Sequence, residues 1–146
     1  MALCRRFCII LYSLLSLIYY LREGEMKLAK DSALLEKSLQ FAARIVKLYQ
    51  YLLNENKENI ISKQIVRSAT SIGANANEAV YGISRADFIA KLQISLKETA
   101  ETEYWLKLLH LSGYLGDNEA ESLLNDCLEI KRILVSTLKT AKGENK

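Results

Sequence analysis

The feature that most constrains this chain is the absence of proline from all 146 residues. Proline ends or kinks a helix more reliably than any other residue, and glycine, the next most disruptive, occurs only six times. Half of the residues are apolar, which is enough for a single domain with a buried core. Because the apolar residues also recur at helical spacing, the sequence predicts an all-α fold of long helices.

Short polar or glycine-containing stretches divide the chain into four predicted helices. The breaks lie at 54–59, at Gly82 and at 113–116. Asp31 or Ser32 is placed to cap the first helix, Ser84 and Asp87 have the spacing of a capping box for the third, and Asp117 is placed to cap the fourth. Since short connections join antiparallel neighbours, we expect an antiparallel up-down four-helix bundle.

The second predicted helix carries two stripes at helical spacing. The apolar stripe is Ile61, Ile65, Ala69, Ile72, Ala76 and Ala79. The stripe beside it is polar and mostly small: Gln64, Ser68, Ser71, Asn75 and Glu78. Small side chains allow neighbouring helices to approach closely, so this helix is predicted to be central to the bundle.

One stripe of the third helix places two carboxylates, Glu98 and Glu101, between large apolar residues. A buried carboxylate without a cation is costly, and Arg67 on the second helix is the nearest candidate partner. We therefore expect a buried or half-buried polar cluster; the alternative is a solvated face with unpaired charges. The full predicted cluster is Arg67, Ser71, Asn75, Glu78, Glu98 and Glu101.

The remaining stripes predict the core and a surface for self-association. The third helix has a seam at Phe88, Leu92, Ser95, Thr99, Thr102, Leu106 and Leu109. The core face of the fourth helix is Ala120, Leu123, Cys127, Ile130, Leu134, Thr137 and Ala141. The first helix has one stripe at Leu35, Leu39, Ala42, Val46, Tyr49 and Leu53, and a second beside it at Leu34, Phe41, Ile45, Leu48 and Leu52. This arc is wider than one bundle needs, so either the helix is enclosed on several sides within one protomer or its second stripe meets another protomer. The family resemblance described below favours the contact with another protomer.

Two runs in the middle of the chain carry a family resemblance. Residues 65–79 read IVRSATSIGANANEA, and residues 87–109 read DFIAKLQISLKETAETEYWLKLL. They resemble a bacterial four-helix-bundle family that includes proteins encoded in intervening sequences of large-subunit ribosomal RNA genes, and the resemblance extends from about Leu28 to Lys142. It implies a homopentameric ring of four-helix protomers, a nucleic-acid-binding role and no established enzymatic activity. Related pentameric bundles are accessory proteins of reverse transcriptases, which makes a structural adaptor the alternative function.

Residues 1–25 differ in character from the rest of the chain. Phe7 to Leu21 is an uncharged run of fifteen residues with arginines on both sides. As a helix it would be about 22 Å long, against about 30 Å of bilayer hydrocarbon, and no cleavage site of a signal peptide follows it. Three interpretations are open: translation that begins at Met26, a membrane anchor, or an extra packing helix. We predict an apolar extension over 1–25, a bundle domain over 26–146 and a cytoplasmic protein.

The residues needed for catalysis or for a cofactor are largely missing. A carboxylate-bridged metal site in a bundle needs two Glu-x-x-His pairs, but the chain has one histidine, His110, preceded at the third position by Lys107. His110 with Lys107 is also the only candidate for nuclease chemistry. Three cysteines lack the spacing of a zinc site, and Cys127 lies within an apolar stripe. We therefore expect no enzyme activity, no cofactor and no metal.

Nucleic-acid binding is the function that the charges favour, although the net charge is only +3. A ring would multiply weak phosphate contacts, so binding is expected to be electrostatic and poorly selective for sequence. The candidate contacts are Lys37, Arg44, Lys47, Lys63, Lys131, Arg132 and Lys139. The alternative is that these residues only keep exposed faces soluble.

Overall fold

The computed structural model describes residues 33–143, and within that range it contains four α-helices and no strand. The helices are α1 (33–54), α2 (Ile61–Val80), α3 (Arg85–Leu111) and α4 (Asp117–Lys142). The prediction of an all-α chain with four helices is therefore confirmed. The expected domain boundary after residue 25, the apolar run 7–21 and the cap at Asp31 or Ser32 lie outside the described residues.

Contacts between α2 and α3 show that these two helices are antiparallel. The Ser95 hydroxyl donates a hydrogen bond to the Ile72 carbonyl at 2.9 Å, and the Thr102 hydroxyl, two turns later on α3, donates to Ser68, one turn earlier on α2, at 2.9 Å. Residue numbers rise along α3 as they fall along the facing side of α2. The short turn at 81–84 therefore reverses the direction of the chain.

The other helix pairs have the same relation. Arg85, at the start of α3, donates a hydrogen bond from its Nε to the carbonyl of Ala141 near the end of α4, at 2.6 Å. The α1 residue Arg44 pairs with Asp126 of α4. A Cβ atom added at Gly73 of α2 would lie 3.2 Å from the Ser38 hydroxyl of α1. Each helix thus contacts two neighbours, as in an up-down four-helix bundle.

The core lies where the sequence stripes place it. Six of the seven predicted α3 seam positions are buried, namely Leu92, Ser95, Thr99, Thr102, Leu106 and Leu109. On α4 the buried residues are Ala120, Leu123, Cys127, Ile130, Leu134, Thr137 and Leu138, so Leu138 takes the place predicted for Ala141. On α1 the second stripe, Leu34, Phe41, Ile45, Leu48 and Leu52, is buried within the described bundle together with Ser38. The expectation that this stripe meets another protomer is therefore wrong, because its side chains pack into the core of their own bundle.

Several hydroxyl groups lie inside this core without disturbing the helices. Thr99 donates to the Ser95 carbonyl at 2.8 Å, and Ser68 donates to the Ile65 carbonyl at 3.2 Å. Such bonds satisfy a buried hydroxyl within its own helix. Of the polar stripe predicted on α2, only Ser68 is buried, and it contacts α3 through Thr102. Gly73 is the α2 residue that allows close approach of α1 at Ser38.

The helix caps agree only in part with the predictions. Ser84 caps α3, since its hydroxyl accepts a hydrogen bond from the Asp87 backbone N–H at 3.1 Å. The Asp87 carboxylate accepts from the backbone N–H of Ile83 at 3.3 Å, so the reciprocal half of the capping box is shifted by one residue. The predicted cap at Asp117 is wrong, because Gly116 occupies the cap position and Asp117 is the first helical residue.

The cap of α2 comes from a residue that the sequence did not single out. The Glu58 carboxylate accepts hydrogen bonds from the backbone N–H groups of Ile60, Ile61 and Ser62, at 2.9, 2.8 and 2.8 Å. The Ser62 hydroxyl in turn donates to the Glu58 carbonyl at 2.8 Å. Burial acts to raise the pKa of Glu58, but these donors outweigh it and lower the pKa below its ordinary value. The ionised Glu58 side chain therefore already accepts hydrogen bonds from the free backbone N–H groups at the start of α2.

None of the helices within 33–143 combines the length and the apolar content that crossing a bilayer requires.

Candidate nucleic-acid interface

The predicted contact between Arg67 and the α3 carboxylates is present in the structure. The Arg67 guanidinium pairs with Glu101 and lies 3.7 Å from Glu98 Oε2. The Trp105 indole N–H also donates to Glu101, at 3.1 Å. This indole bond, with the Arg67 bond and charge, lowers the pKa of Glu101 against the opposing effect of burial.

The cluster lies at the surface of the bundle rather than inside it. The Arg67 side chain is 53% exposed, whereas the Glu98 side chain is 18% exposed and its Oε2 atom has no hydrogen-bond partner within the described residues. The rest of the predicted cluster separates from these three residues. Asn75 donates to the Ser71 carbonyl of its own helix at 2.8 Å, and Glu78 pairs with Lys91.

A second charged cluster, which the sequence did not predict, lies on the α4 side of α3. Glu103 accepts hydrogen bonds from Lys107 at 2.6 Å and from Lys131 at 2.8 Å. These bonds, Lys107 first, lower the pKa of Glu103. Lys107 follows Glu103 at the i,i+4 spacing, which is a sequence signal, but the contact with Lys131 depends on the register between α3 and α4.

The seven candidate nucleic-acid contacts fall into two groups. Three are held by carboxylates: Lys37 by Glu129 at 3.0 Å, Arg44 by Asp126, and Lys131 by Glu103. The other four have no carboxylate partner within residues 33–143: Lys47, Lys63, Arg132 and Lys139. Only this second group offers charges that are not already paired.

Charge is distributed unevenly along the bundle. The half that contains the α2–α3 turn consists of residues 33–43, 71–97 and 130–143, with eight basic and three acidic residues. The other half, residues 44–70 and 98–129, has six basic and ten acidic residues. The antiparallel arrangement of the helices thus gathers opposite charges at opposite ends, although the chain as a whole is close to neutral.

This distribution separates the four unpaired candidates. Lys47 and Lys63 lie in the acidic half, while Arg132 and Lys139 lie in the basic half. The latter two line a shallow groove along α4. The complete lining within the described residues is Leu128, Lys131, Arg132, Val135, Ser136 and Lys139.

The first stripe of α1, and not the second as expected, is only partly covered by the described part of the chain. Leu39 is 72% exposed and Val46 is also exposed, whereas the second stripe is buried. The other members are half-buried: Leu35, Ala42, Tyr49 and Leu53. This row, which we call the α1 apolar stripe, extends along the length of the helix, unlike the isolated Leu111, which is 84% exposed.

The groups considered for catalysis are held in structural contacts. His110 Nε2 lies 2.8 Å from Asp117 Oδ1, at the connection between α3 and α4, and Lys107 bonds to Glu103. Cys127 is fully buried, and burial, reinforced by the Glu103 charge, raises the pKa of its thiol to about 12. Within residues 33–143 no group of three or more His, Cys, Asp or Glu residues could hold a metal ion.

Comparisons with known proteins identify relatives of this chain. Residues 30–136 match the family described as 23S rRNA-intervening sequence protein. The chain is also similar to a protein of unknown function from the S23 ribosomal protein family of Bacteroides thetaiotaomicron VPI-5482, whose crystal structure is known at 1.70 Å resolution. The two share 55% identity over 75% of this chain and 98% of that one, with a TM-score of 0.75. No curated protein matches the chain.

Proposed function

Because the chain belongs to the 23S rRNA-intervening sequence protein family, we propose that it is a non-enzymatic, ring-forming bundle protein that binds RNA or DNA weakly through the phosphates. The observation that carries nucleic-acid binding is the pair of candidate cations Arg132 and Lys139, which line one groove on α4 and have no carboxylate partner in the described residues. The family resemblance found in the sequence agrees with this function and supplies the number of subunits, five.

Self-association is supported by the α1 apolar stripe. Residues 33–143 alone leave this row of side chains partly exposed to water, and apolar surface along one helix face is typical of interfaces. Contact of this row with a different surface of a second copy would remove it from water, and repetition of that head-to-tail contact around an axis closes a ring. A ring also compensates for the small net charge of one protomer, because several weak sites then act on one polyanion.

A non-enzymatic role is supported by the state of the reactive side chains. The Cys127 thiol is protonated and inaccessible at neutral pH, and Lys107 is bonded to Glu103. His110 lies at the end of α3 against Asp117. Each of the three side chains that the sequence offered for catalysis is thus engaged in a structural contact.

Assembly is tested by native mass spectrometry of the full chain and its Leu39→Glu variant. We expect five copies for the unmodified chain and a monomer or an incomplete assembly for the variant, because a carboxylate would be buried at the contact. Leu111→Glu is the matched control, since it adds the same charge to an exposed leucine away from the stripe. A monomeric unmodified chain, or equal effects of both variants, would contradict the proposed ring.

Nucleic-acid binding is tested by retention of labelled RNA and duplex DNA at two salt concentrations. We expect binding at about 50 mM salt that is lost steeply by about 200 mM, because release of counterions drives phosphate binding. If no binding is detected at low salt, this part of the proposal fails. The structural adaptor then becomes the better interpretation, with the α1 apolar stripe available to a protein partner.

A further inference from the structure

One end of the bundle concentrates cations that the described structure does not neutralise. Arg132, Lys139 and Lys142 lie on the last turns of α4, and no carboxylate in residues 33–143 contacts them. Arg85 joins them from the start of α3, since its Nε donates to the Ala141 carbonyl and its guanidinium lies against Gly143. We call these four residues the basic end.

From this arrangement we infer that the phosphates of a nucleic acid bind at the basic end and not along the whole bundle. The inference rests on the proposed nucleic-acid binding and adds its location. Arg85 and Lys142 were not among the candidates from the sequence. Lys47 and Lys63, which were candidates, lie in the opposite half, whose described residues include ten acidic and six basic side chains, so a polyanion is attracted less strongly there.

The shape of the basic end fits an extended chain of phosphates. Ten residues separate Arg132 from Lys142, so these two positions are about 15 Å apart along the α4 axis. Arg132 and Lys139 also line one groove, with Val135 between them. A line of cations along a groove can contact successive phosphates of one extended polyanion.

A ring would place these sites together. Protomers related by rotation about one axis present the same end to the same side, unless the bundles lie perpendicular to that axis. The basic ends then form a single rim, and the acidic ends form the opposite rim. We therefore expect one nucleic acid to contact several protomers, which raises the apparent affinity.

The test compares two charge-reversed double variants of the full chain. One is Lys139→Glu with Lys142→Glu at the basic end, and the matched control is Lys47→Glu with Lys63→Glu in the acidic half. All four side chains are exposed, and both variants change the net charge of the chain equally. The probe is a fluorescein-labelled oligouridine RNA of about 20 nucleotides, long enough to cover more than one site.

We expect the basic-end variant to bind at least about tenfold more weakly at 50 mM salt, with a salt slope shallower by about 1.4 from two lost contacts per protomer. The affinity of the control variant for the RNA is expected to stay within about threefold of that of the unmodified chain, since we infer that binding depends on the position of the charges and not on the net charge alone. Equal losses in the two variants would overturn the location while leaving the proposed function intact. Failure of the unmodified chain to bind would overturn both.

Two further measurements distinguish the loss of phosphate contacts from unfolding of α4 and from membrane binding. Lys139→Gln with Lys142→Gln removes the charges without reversing them, and its melting curve shows whether the end of α4 remains folded. A similar loss of affinity with an unchanged melting curve supports the inference. Sedimentation with vesicles that contain anionic phospholipid tests the membrane alternative. Vesicle binding that requires Lys139 and Lys142, without RNA binding, would overturn the inference.

Discussion

Glu58 and Glu98 are both carboxylates with little exposure to water, but the protein stabilises them in different ways. Glu58, 9% exposed, accepts three backbone N–H bonds at the start of α2 and has no cation in contact among residues 33–143. Glu98 has Arg67 at 3.7 Å, and its buried Oε2 atom has no hydrogen bond in the described structure. Fixed backbone N–H groups satisfy the Glu58 carboxylate. The half-exposed Arg67 side chain only partly compensates the charge of Glu98.

The difference shows that a nearby cation is not the same as a satisfied carboxylate. Backbone N–H groups at a helix start are held in place by the helix itself, so they stabilise an ionised oxygen without further loss of side-chain entropy. Arg67 must be ordered to reach Glu98, and water competes for its guanidinium. We therefore expect Glu58 to contribute more to stability than the Arg67 cluster does.

The largest effect is expected for Glu58→Ala, which should lower the free energy of unfolding by about 2 kcal/mol because three N–H groups lose their acceptor at once. Urea denaturation followed by circular dichroism measures the change. Glu55→Ala is the control, since Glu55 lies in the same connection and its side chain is exposed. A loss below about 0.5 kcal/mol would mean that water replaces the carboxylate without cost.

A smaller loss, about 1 kcal/mol, is expected for Arg67→Met. The loss is moderate because Glu101 is partly exposed and can be solvated once Arg67 is gone, which leaves Glu98 as the main uncompensated charge. Lys63→Met is the control on the same helix, because Lys63 has no carboxylate partner in the described residues. A loss above about 3 kcal/mol would show that the cluster behaves as a buried triad.

The stability of the protein should also depend on pH through Glu58. Since its pKa is lower in the folded state than the unfolded value of about 4.3, its contribution is present above that value and disappears as the pH falls through the folded-state pKa. In Glu58→Gln the loss of stability between about pH 5 and pH 3 should therefore be shallower than in the unmodified chain. If the free energy of unfolding fell equally with pH in Glu58→Gln and in the unmodified chain, Glu58 would have the same pKa in the folded and the unfolded state.

The smallest effect is expected for Glu98→Gln, which should change stability by less than about 0.5 kcal/mol. The amide removes the desolvation cost of the charge and also its attraction to Arg67, and the two changes oppose each other. In the Arg67→Met background Glu98→Gln should raise stability, because it removes the desolvation cost of the charge and no attraction to Arg67 remains to be lost. The double-mutant cycle measures this coupling, and strict additivity would show that Arg67 and Glu98 do not interact.

Periodicity was sufficient to predict the buried faces. The α3 seam from Leu92 to Leu109 was correct at six positions because a helix buried on one side repeats its core residues regularly, even where these are serine and threonine. The contact between Arg67 and the α3 carboxylates was also predictable. Antiparallel neighbours joined by a short turn bring residues at matched distances from that turn to the same height.

Features that depend on loop conformation or on exposure were not predictable in the same way. Glu58 lies in a polar connection that has no period, and its role requires the chain to turn back so that the carboxylate meets three N–H groups. Asp117 was expected to cap α4 because cap preferences are local, but Gly116 adopts the extended conformation one residue earlier. The charge separation was readable from the sequence once the helix directions were known.

That separation gives each bundle a permanent dipole along its length. Two free copies lying side by side would lower their electrostatic energy by pointing in opposite directions, whereas rotational symmetry makes all members of a closed ring point the same way. Closure of the proposed ring, with its bundles aligned along the axis, would therefore work against repulsion between like termini, and added salt should ease it. A polyanion bridging the positive termini would have the same effect, so oligomerisation and ligand capture would reinforce each other.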